Sequence, residues 1–326
     1  MQRKTVWYKR AVLGTVQNRN LQAALTTALG RLPATGNRLR RPGGPTDPSC
    51  ELINGHSRRY SMLCGHFVSF EMGHRQPFLH GLETAASFDL DAIAPPQGRP
   101  DERREFLEGV AYFAIHENHV LLCQSKAAGS RELERYLNWI LWEASTVLPS
   151  PTAVVLQDQP SRKLIEKLNH NPVKSIRFGT PLEYESISVP EMRERSTKLR
   201  VSPKGLGADV LAALFTNTIF DKASFSDAIK NDNIEVEVTV RFKHKQHIST
   251  SGDELLRSVA KAARHMNPDD VEIELHHAGT IKGNELQVHT AMDVPTTDSG
   301  LIREDDLNQQ MANWLQDLLQ SKMVDP

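Results

Sequence analysis

Between Ile234 and Phe242 the chain alternates without a miss. Ile234, Val236, Val238, Val240 and Phe242 fall on one side of an extended backbone, and Glu235, Glu237, Thr239, Arg241 and Lys243 on the other. Such a segment is stable only with its apolar side packed and its charged side in water, which is the habit of an antiparallel sheet covered on one face. Val271–Leu275 and Glu285–Met292 repeat the pattern around turn residues Lys282-Gly283-Asn284, and Thr5–Leu13, Arg59–Glu71, Ala153–Gln157 and Val173–Phe178 read as further strands. Gly109–Ser125 reads as two strands, with His116-Glu117-Asn118-His119 as the hairpin turn between them.

Helical spacing is interleaved with these strands. Asn20 is placed to cap Leu21–Leu32, whose Leu21, Leu25, Ala28, Leu29 and Leu32 share a face, and Arg131–Val147 carries Leu133, Tyr136, Leu137, Ile140 and Ala144 at the same period. Ser161–His170, Ala208–Phe220 and Ser224–Lys230 are expected to be helical, as is the segment from Ser251 to about Met266, where Ser251 and Glu254 form a capping-box pattern. A closing helix over Glu304–Lys322 has a wide stripe of Leu307, Met311, Trp314, Leu315 and Leu318, which suits either a core or a dimer seam. No strict strand–helix–strand rhythm appears, so the fold class is α+β: two mixed α/β domains with largely antiparallel sheets. The 326 residues suit two domains. The proline-bracketed, apolar-poor stretch from Pro190 to Lys204 places the boundary, giving residues 1–195 and 196–326.

Charge has to be read regionally, because 39 Lys+Arg against 40 Asp+Glu leave a net charge of −1. Residues 1–200 hold 27 basic and 20 acidic side chains, whereas residues 201–326 hold 12 and 20. Inside the acidic second part lies a basic island: over residues 241–265 there are six cations, Arg241, Lys243, Lys245, Arg257, Lys261 and Arg264, and two acids. On a continuing strand Arg241, Lys243 and Lys245 would project from one face at roughly 6.8 Å intervals, a spacing comparable with that of successive phosphates. A basic island must overcome the background repulsion of phosphate locally, which marks it as a nucleic-acid contact; the alternative is an ordinary solvated face. The loop at Arg38, Arg40 and Arg41 is a second basic candidate, whose alternative is an intramolecular or dimer contact.

Sites for chemistry are sparse. Cys50, Cys64 and Cys123 are widely and irregularly spaced, with no C-x-x-C, which suits structural thiols in a reducing cytosol. His116-Glu117-Asn118-His119 has its histidines three apart instead of four, and His276-His277 are adjacent on a strand, so neither makes a metal site. His56, His66, His74 and His80 form a loose set without diagnostic spacing. No phosphate-binding glycine loop and no nucleophile elbow occur. Glu272 and Glu274 share a strand face and could hold a divalent cation, but the residues that follow are Leu275, His276 and His277, not a water-positioning lysine. The chain is therefore expected to be no enzyme and to need no cofactor, with a nuclease built on Glu272 and Glu274 as the alternative. A third possibility is an interaction protein whose basic first domain docks on an acidic partner. No apolar run approaches the ~20 residues of a membrane span, and the basic start lacks the apolar core of a signal peptide. A cytoplasmic location is expected.

The order of parts resembles the RexA phage-exclusion proteins of lambdoid phages. The resemblance is carried by Gly207-Ala208-Asp209-Val210-Leu211, Phe225-Ser226-Asp227-Ala228-Ile229, Ile234–Phe242, Arg241-Phe242-Lys243-His244-Lys245 and Leu256–His265, with Phe106–Gln124 and Arg131–Leu141 in the first half. It implies a dimeric, sequence-nonspecific binder of double-stranded DNA, with a fold related to the RdgC recombination-associated proteins. It also implies a role in temperate-phage exclusion or the lysis–lysogeny choice, with a membrane-protein effector as a further partner. By position, Arg241, Lys243 and Lys245 would be its DNA contacts. The chain departs from the family in a longer first domain, with residues 33–49 extra, and in His244 between the lysines.

Overall fold

The computed structural model describes residues 1–14, 20–82, 84, 87–99, 102–149, 153–159, 164, 166–167, 170–171, 173–181, 183–188, 199–204, 235–241, 271–275, 279–282, 285 and 287–324. The chain divides into two compact units. The first is built from Met1–Arg162 together with Gln287–Pro326, and the second from the described residues between Lys163 and Leu286. This differs from the expected division into consecutive halves, because the last forty residues return to the first unit. There, strand β15 (His289–Val294) pairs with β1 (Gln2–Leu13) in the register Gln2↔Val294 to Trp7↔His289. Of the expected linker, residues 190–198 lie outside the described residues, and Leu199–Lys204 is strand β11, paired along its length with β10 (Glu183–Ser188).

The first unit is a seven-stranded sheet in which every pairing is antiparallel, so the α+β expectation is borne out. Its order is β15-β1-β7-β6-β3-β2, with β2 Ser49–Arg59, β3 Met62–Glu71, β6 Leu107–His116 and β7 His119–Cys123, and β8 (Val154–Gln157) also pairing β1. Alternate residues of the central strands enter two different cores. Ala111, Phe113, Ile115, Val120 and Leu122 pack with helices α1 (Leu21–Arg31) and α2 (Ser130–Asn138), while Ala114, Leu121 and Cys123 pack with the closing helix α3 (Glu304–Gln320). Burial on both faces explains why β6 and β7 read as nearly continuous apolar runs and not as clean alternation. The α3 stripe of Leu307, Met311, Leu315 and Leu318 is buried in this second core, with Trp314 partly buried against it. It acts as core within one chain.

Local signals set the helix and turn positions. Asn20 Oδ1 accepts the Ala23 amide at 2.8 Å, an N-cap that stabilises α1 by about 1 kcal/mol. The β6–β7 turn turns at Glu117, whose φ is 53°, and the Asn118 side chain accepts the Leu21 amide at 2.8 Å, docking the turn on the start of α1. Arg131–Val147 is not one uniform helix. After Asn138 the chain widens into a π-turn over Trp139–Ala144, which buries both Ile140 and Leu141. Asn138 is tethered there by bonds to both backbone groups of Val154. Arg59–Glu71 is likewise broken, by a hairpin at Tyr60-Ser61 whose φ values of 49° and 63° suit a two-residue turn. A separate two-stranded ribbon, β4 (Gln76–His80) with β5 (Asp89–Ile93), was not legible in the sequence.

In the second unit β12 (Glu235–Arg241), β9 (Val173–Pro181), β13 (Val271–Leu275) and β14 (Thr280–Lys282) form one antiparallel sheet in that order. Val271, Ile273, Leu275 and Ile281 are buried. The helices expected over Ala208–Phe220, Ser224–Lys230 and Ser251–Met266 lie outside the described residues.

Candidate nucleic-acid interface

Among the described residues β12 is the outermost strand of its sheet: β9 lies on one side of it, and its register runs from Glu235↔Pro181 to Arg241↔Ser175. Arg241 is therefore the last described residue of this strand, and in the sequence the basic run begins with it. Lys243, Lys245, Arg257, Lys261 and Arg264 lie outside the described residues.

The two carboxylates of β13 stand two strands away on the same sheet. Glu272 pairs in register with Arg177, and its carboxylate lies 3.1 Å from that guanidinium. Glu274 takes Lys174 Nζ at 2.6 Å and the Ser175 hydroxyl at 3.0 Å. Those hydrogen bonds, the lysine first and the serine next, hold the Glu274 carboxyl below the usual carboxylate range. Exposed pairs like these contribute little to stability, but they set the electrostatics of the face. Each acid is matched by a cation, so the acids do not present a bare negative field beside β12. Among the described residues, no group of three or more His, Cys, Asp or Glu side chains is arranged to hold a metal ion.

The loop arginines are engaged within the fold. Arg38 is buried, with Nη1 3.0 Å from His56 Nδ1 and Nη2 donating to the Asn54 carbonyl, while the Tyr136 hydroxyl donates to the Arg38 carbonyl at 2.7 Å. Arg40 forms a backbone bridge to Glu51 and an ion pair with its carboxylate at 3.0 Å. Arg41 donates to the Pro45 carbonyl and approaches Met72 Sδ. These contacts staple residues 38–41 along β2, which is the intramolecular use of the charge. Of the histidines, His56 contacts Arg38, His66 contacts Glu304 at 3.2 Å, His74 contacts Glu71, and the His80 ring lies tilted beside Phe78, so the loose set is not brought together. All three thiols are buried, and desolvation pushes Cys64 up to about 11.

Sequence reasoning missed a polar cluster on β1. The outer edge of that strand is shared: β15 covers Gln2–Trp7 and β8 covers Arg10–Leu13, leaving Tyr8 and Lys9 where the partner changes. Lys9 is buried with its Nζ 2.5 Å from Asp158, whose other oxygen accepts from Gln287 at 3.2 Å. On the adjacent residues Arg10 Nη1 lies 2.7 Å from His119 Nε2, the Tyr8 hydroxyl lies 2.9 Å from Nδ1, and that hydroxyl donates to Gln159 at 3.2 Å. A guanidinium can only donate, and Arg10 Nη1 lies 3.0 Å from Nδ1 as well, so the arginine meets a neutral imidazole through whichever ring nitrogen accepts. The only signal in the sequence was Lys9-Arg10 interrupting an apolar strand.

Burial first, and then the neighbouring Arg10 and His116 charges, push His119 down to about 4 from an ordinary 6.5. The imidazole stays neutral in the folded state while the unfolded chain takes up a proton near 6.5. This contribution is therefore fully present above pH 6.5 and is lost as pH falls toward 4, by about 3 kcal/mol in all. Urea unfolding at pH 7 and pH 4.5 should show His119→Gln losing less stability between the two than the wild type. An equal loss in both proteins would assign the acid sensitivity to other groups.

The chain matches no family model, and no curated protein matches it. Among the described residues, no helix is long and apolar enough to cross a membrane.

Proposed function

We propose that the chain is a non-catalytic, sequence-nonspecific double-stranded DNA-binding protein that acts as a homodimer and grips phosphate through the basic run Arg241–Lys245 and the cations of residues 257–264. The observation that carries this reading is the position of β12. Among the described residues it is the outermost strand of its sheet and ends at Arg241, the residue at which the basic run of the sequence begins. The nuclease alternative would require Glu272 and Glu274 to exchange Arg177 and Lys174 for a divalent cation. The place in temperate-phage exclusion or the lysis–lysogeny choice rests on the resemblance to the RexA proteins.

Incubation of the purified protein with plasmid DNA in Mg²⁺ or Mn²⁺, followed by electrophoresis, tests the reading directly. Retardation of intact plasmid is expected, unchanged by chelation of the metal. Metal-dependent fragments would instead establish the nuclease. Competition by poly-glutamate as effective as competition by DNA would point to an acidic protein partner.

A further inference from the structure

The hairpin that joins β2 to β3 ends in Arg58-Arg59-Tyr60-Ser61, four consecutive exposed residues. Across it Arg58 pairs in register with Leu63, and Arg59 with Met62. Leu63 enters the core under α1 and α2, whereas Met62 enters the core under α3. The two guanidiniums therefore leave opposite faces of the ribbon. Among the described residues Arg58 has no ion-pair partner, and Arg59 has Asp305 at 3.6 Å, with both of those side chains mostly in water. The turn is built against local preference. A two-residue turn with both φ values positive ordinarily takes Asn-Gly, yet Tyr60 and Ser61 hold φ at 49° and 63°. A bulky residue stays in that region only where its surroundings hold it. Here Gln22 Nε2, on α1, donates to the Ser61 carbonyl at 2.7 Å, His116 Nδ1 lies 3.4 Å from the same oxygen, and Gln22 Oε1 accepts the Glu117 amide at 2.8 Å. The tip is braced by α1 and the β6–β7 turn, and what the bracing holds out in water is a phenol ring, 51% exposed, between two arginines.

We infer that this hairpin tip is a second contact with duplex DNA, entering a groove end-on with Arg58 and Arg59 each on the phosphates of one wall and Tyr60 against the sugars between them. The inference rests on the duplex-binding function proposed above and adds to it a surface on the first unit. Groove geometry selects the occupant. The major groove, about 12 Å wide, admits a two-stranded ribbon, and phosphates line both of its walls. Cations on both faces of one ribbon are complementary to two charged walls, whereas a single acidic patch on a protein would be met by one face alone. The residue types suit that use. A guanidinium presents paired donors to phosphate oxygens, and a tyrosine offers a flat ring with a hydroxyl that donates and accepts. None of these contacts reads a base edge, which agrees with binding that is indifferent to sequence. A tip already braced in one conformation also loses little freedom on docking.

Binding of the full chain to duplexes of unrelated sequence, followed by fluorescence anisotropy, tests this. Arg58→Ala/Arg59→Ala, which alters only exposed positions, should weaken binding about ten- to thirtyfold and shrink the slope of log K against log salt by about 2. Tyr60→Gly should weaken binding about three- to tenfold with the slope unchanged. It should do so without lowering the urea midpoint, because glycine takes a φ of 49° without strain. A wild type that binds no duplex would overturn both this inference and the function it rests on. Duplex binding that both variants retain, at wild-type affinity and slope, would overturn this inference alone. Variants that keep their affinity for DNA but lose affinity for poly-glutamate would assign the tip to an acidic protein, and would likewise overturn it.

Discussion

Replacing Lys243 and Lys245 by glutamate is expected to lower the affinity for duplex DNA on the order of ten- to a hundredfold, about equally on unrelated sequences. If four to six of the cations at Arg241, Lys243, Lys245, Arg257, Lys261 and Arg264 meet phosphates, the wild-type log K should fall with log salt at a slope of roughly −4 to −5. The double reversal removes two contacts and adds two repulsions, so the slope should shrink by about 2. Titration of fluorescent duplexes at several salt concentrations reads both quantities. Wild-type affinity and slope in a folded double variant would make this surface an ordinary solvated face. Arg38 and Arg40 would be poor substitutes for it, since the first is buried against His56 and the second paired with Glu51.

The second large effect is expected at Lys9. Its ammonium and the Asp158 carboxylate are both buried, 2.5 Å apart, and Gln287 donates to the same carboxylate. Taking one ion away leaves the other in a poorly solvated place, so Lys9→Met should cost about 3–5 kcal/mol, a large part of the stability of a typical domain. Asp158→Asn should cost a similar amount for the opposite charge. The double variant Lys9→Met/Asp158→Asn should be much more stable than the sum of the two losses implies, because it removes both charges together. Additive losses in urea unfolding would show that the two charges do not depend on each other. The location gives the pair a structural task. Asp158 follows β8 as the chain leaves the first unit, and Gln287 precedes β15 as the chain rejoins it, so one buried lysine ties both crossings to β1.

Local pattern carried much of the fold. The cap at Asn20, the turn at Glu117-Asn118, the stripe of α3 and the strands β1, β8, β9, β12 and β13 were all legible, because a period of 2 or 3.6 and a capping oxygen are properties of a few consecutive residues. Turns without the usual residues were not. Tyr60-Ser61 carries neither asparagine nor glycine, so the hairpin went unread: the strand expected at Arg59–Glu71 covers β3, and β2 was not read as a strand. The candidate interface was legible as a run of cations on an alternating strand. The place of Arg241 at the end of β12, the outermost described strand of its sheet, and the pairing of Glu272 and Glu274 with Arg177 and Lys174 were not.

By itself the sequence determined the α+β character, the alternating strand that ends in Arg241, and the basic island in an acidic stretch. Only the tertiary structure decided that residues 287–324 complete the first unit, that the closing helix is core, that Arg38 and Arg40 serve the loop, and that Lys9 is buried against Asp158. The reason is the same in each case. Whether a strand edge is covered or a charge solvated depends on residues far along the chain, such as Val294 opposite Gln2, and no local periodicity records those partners.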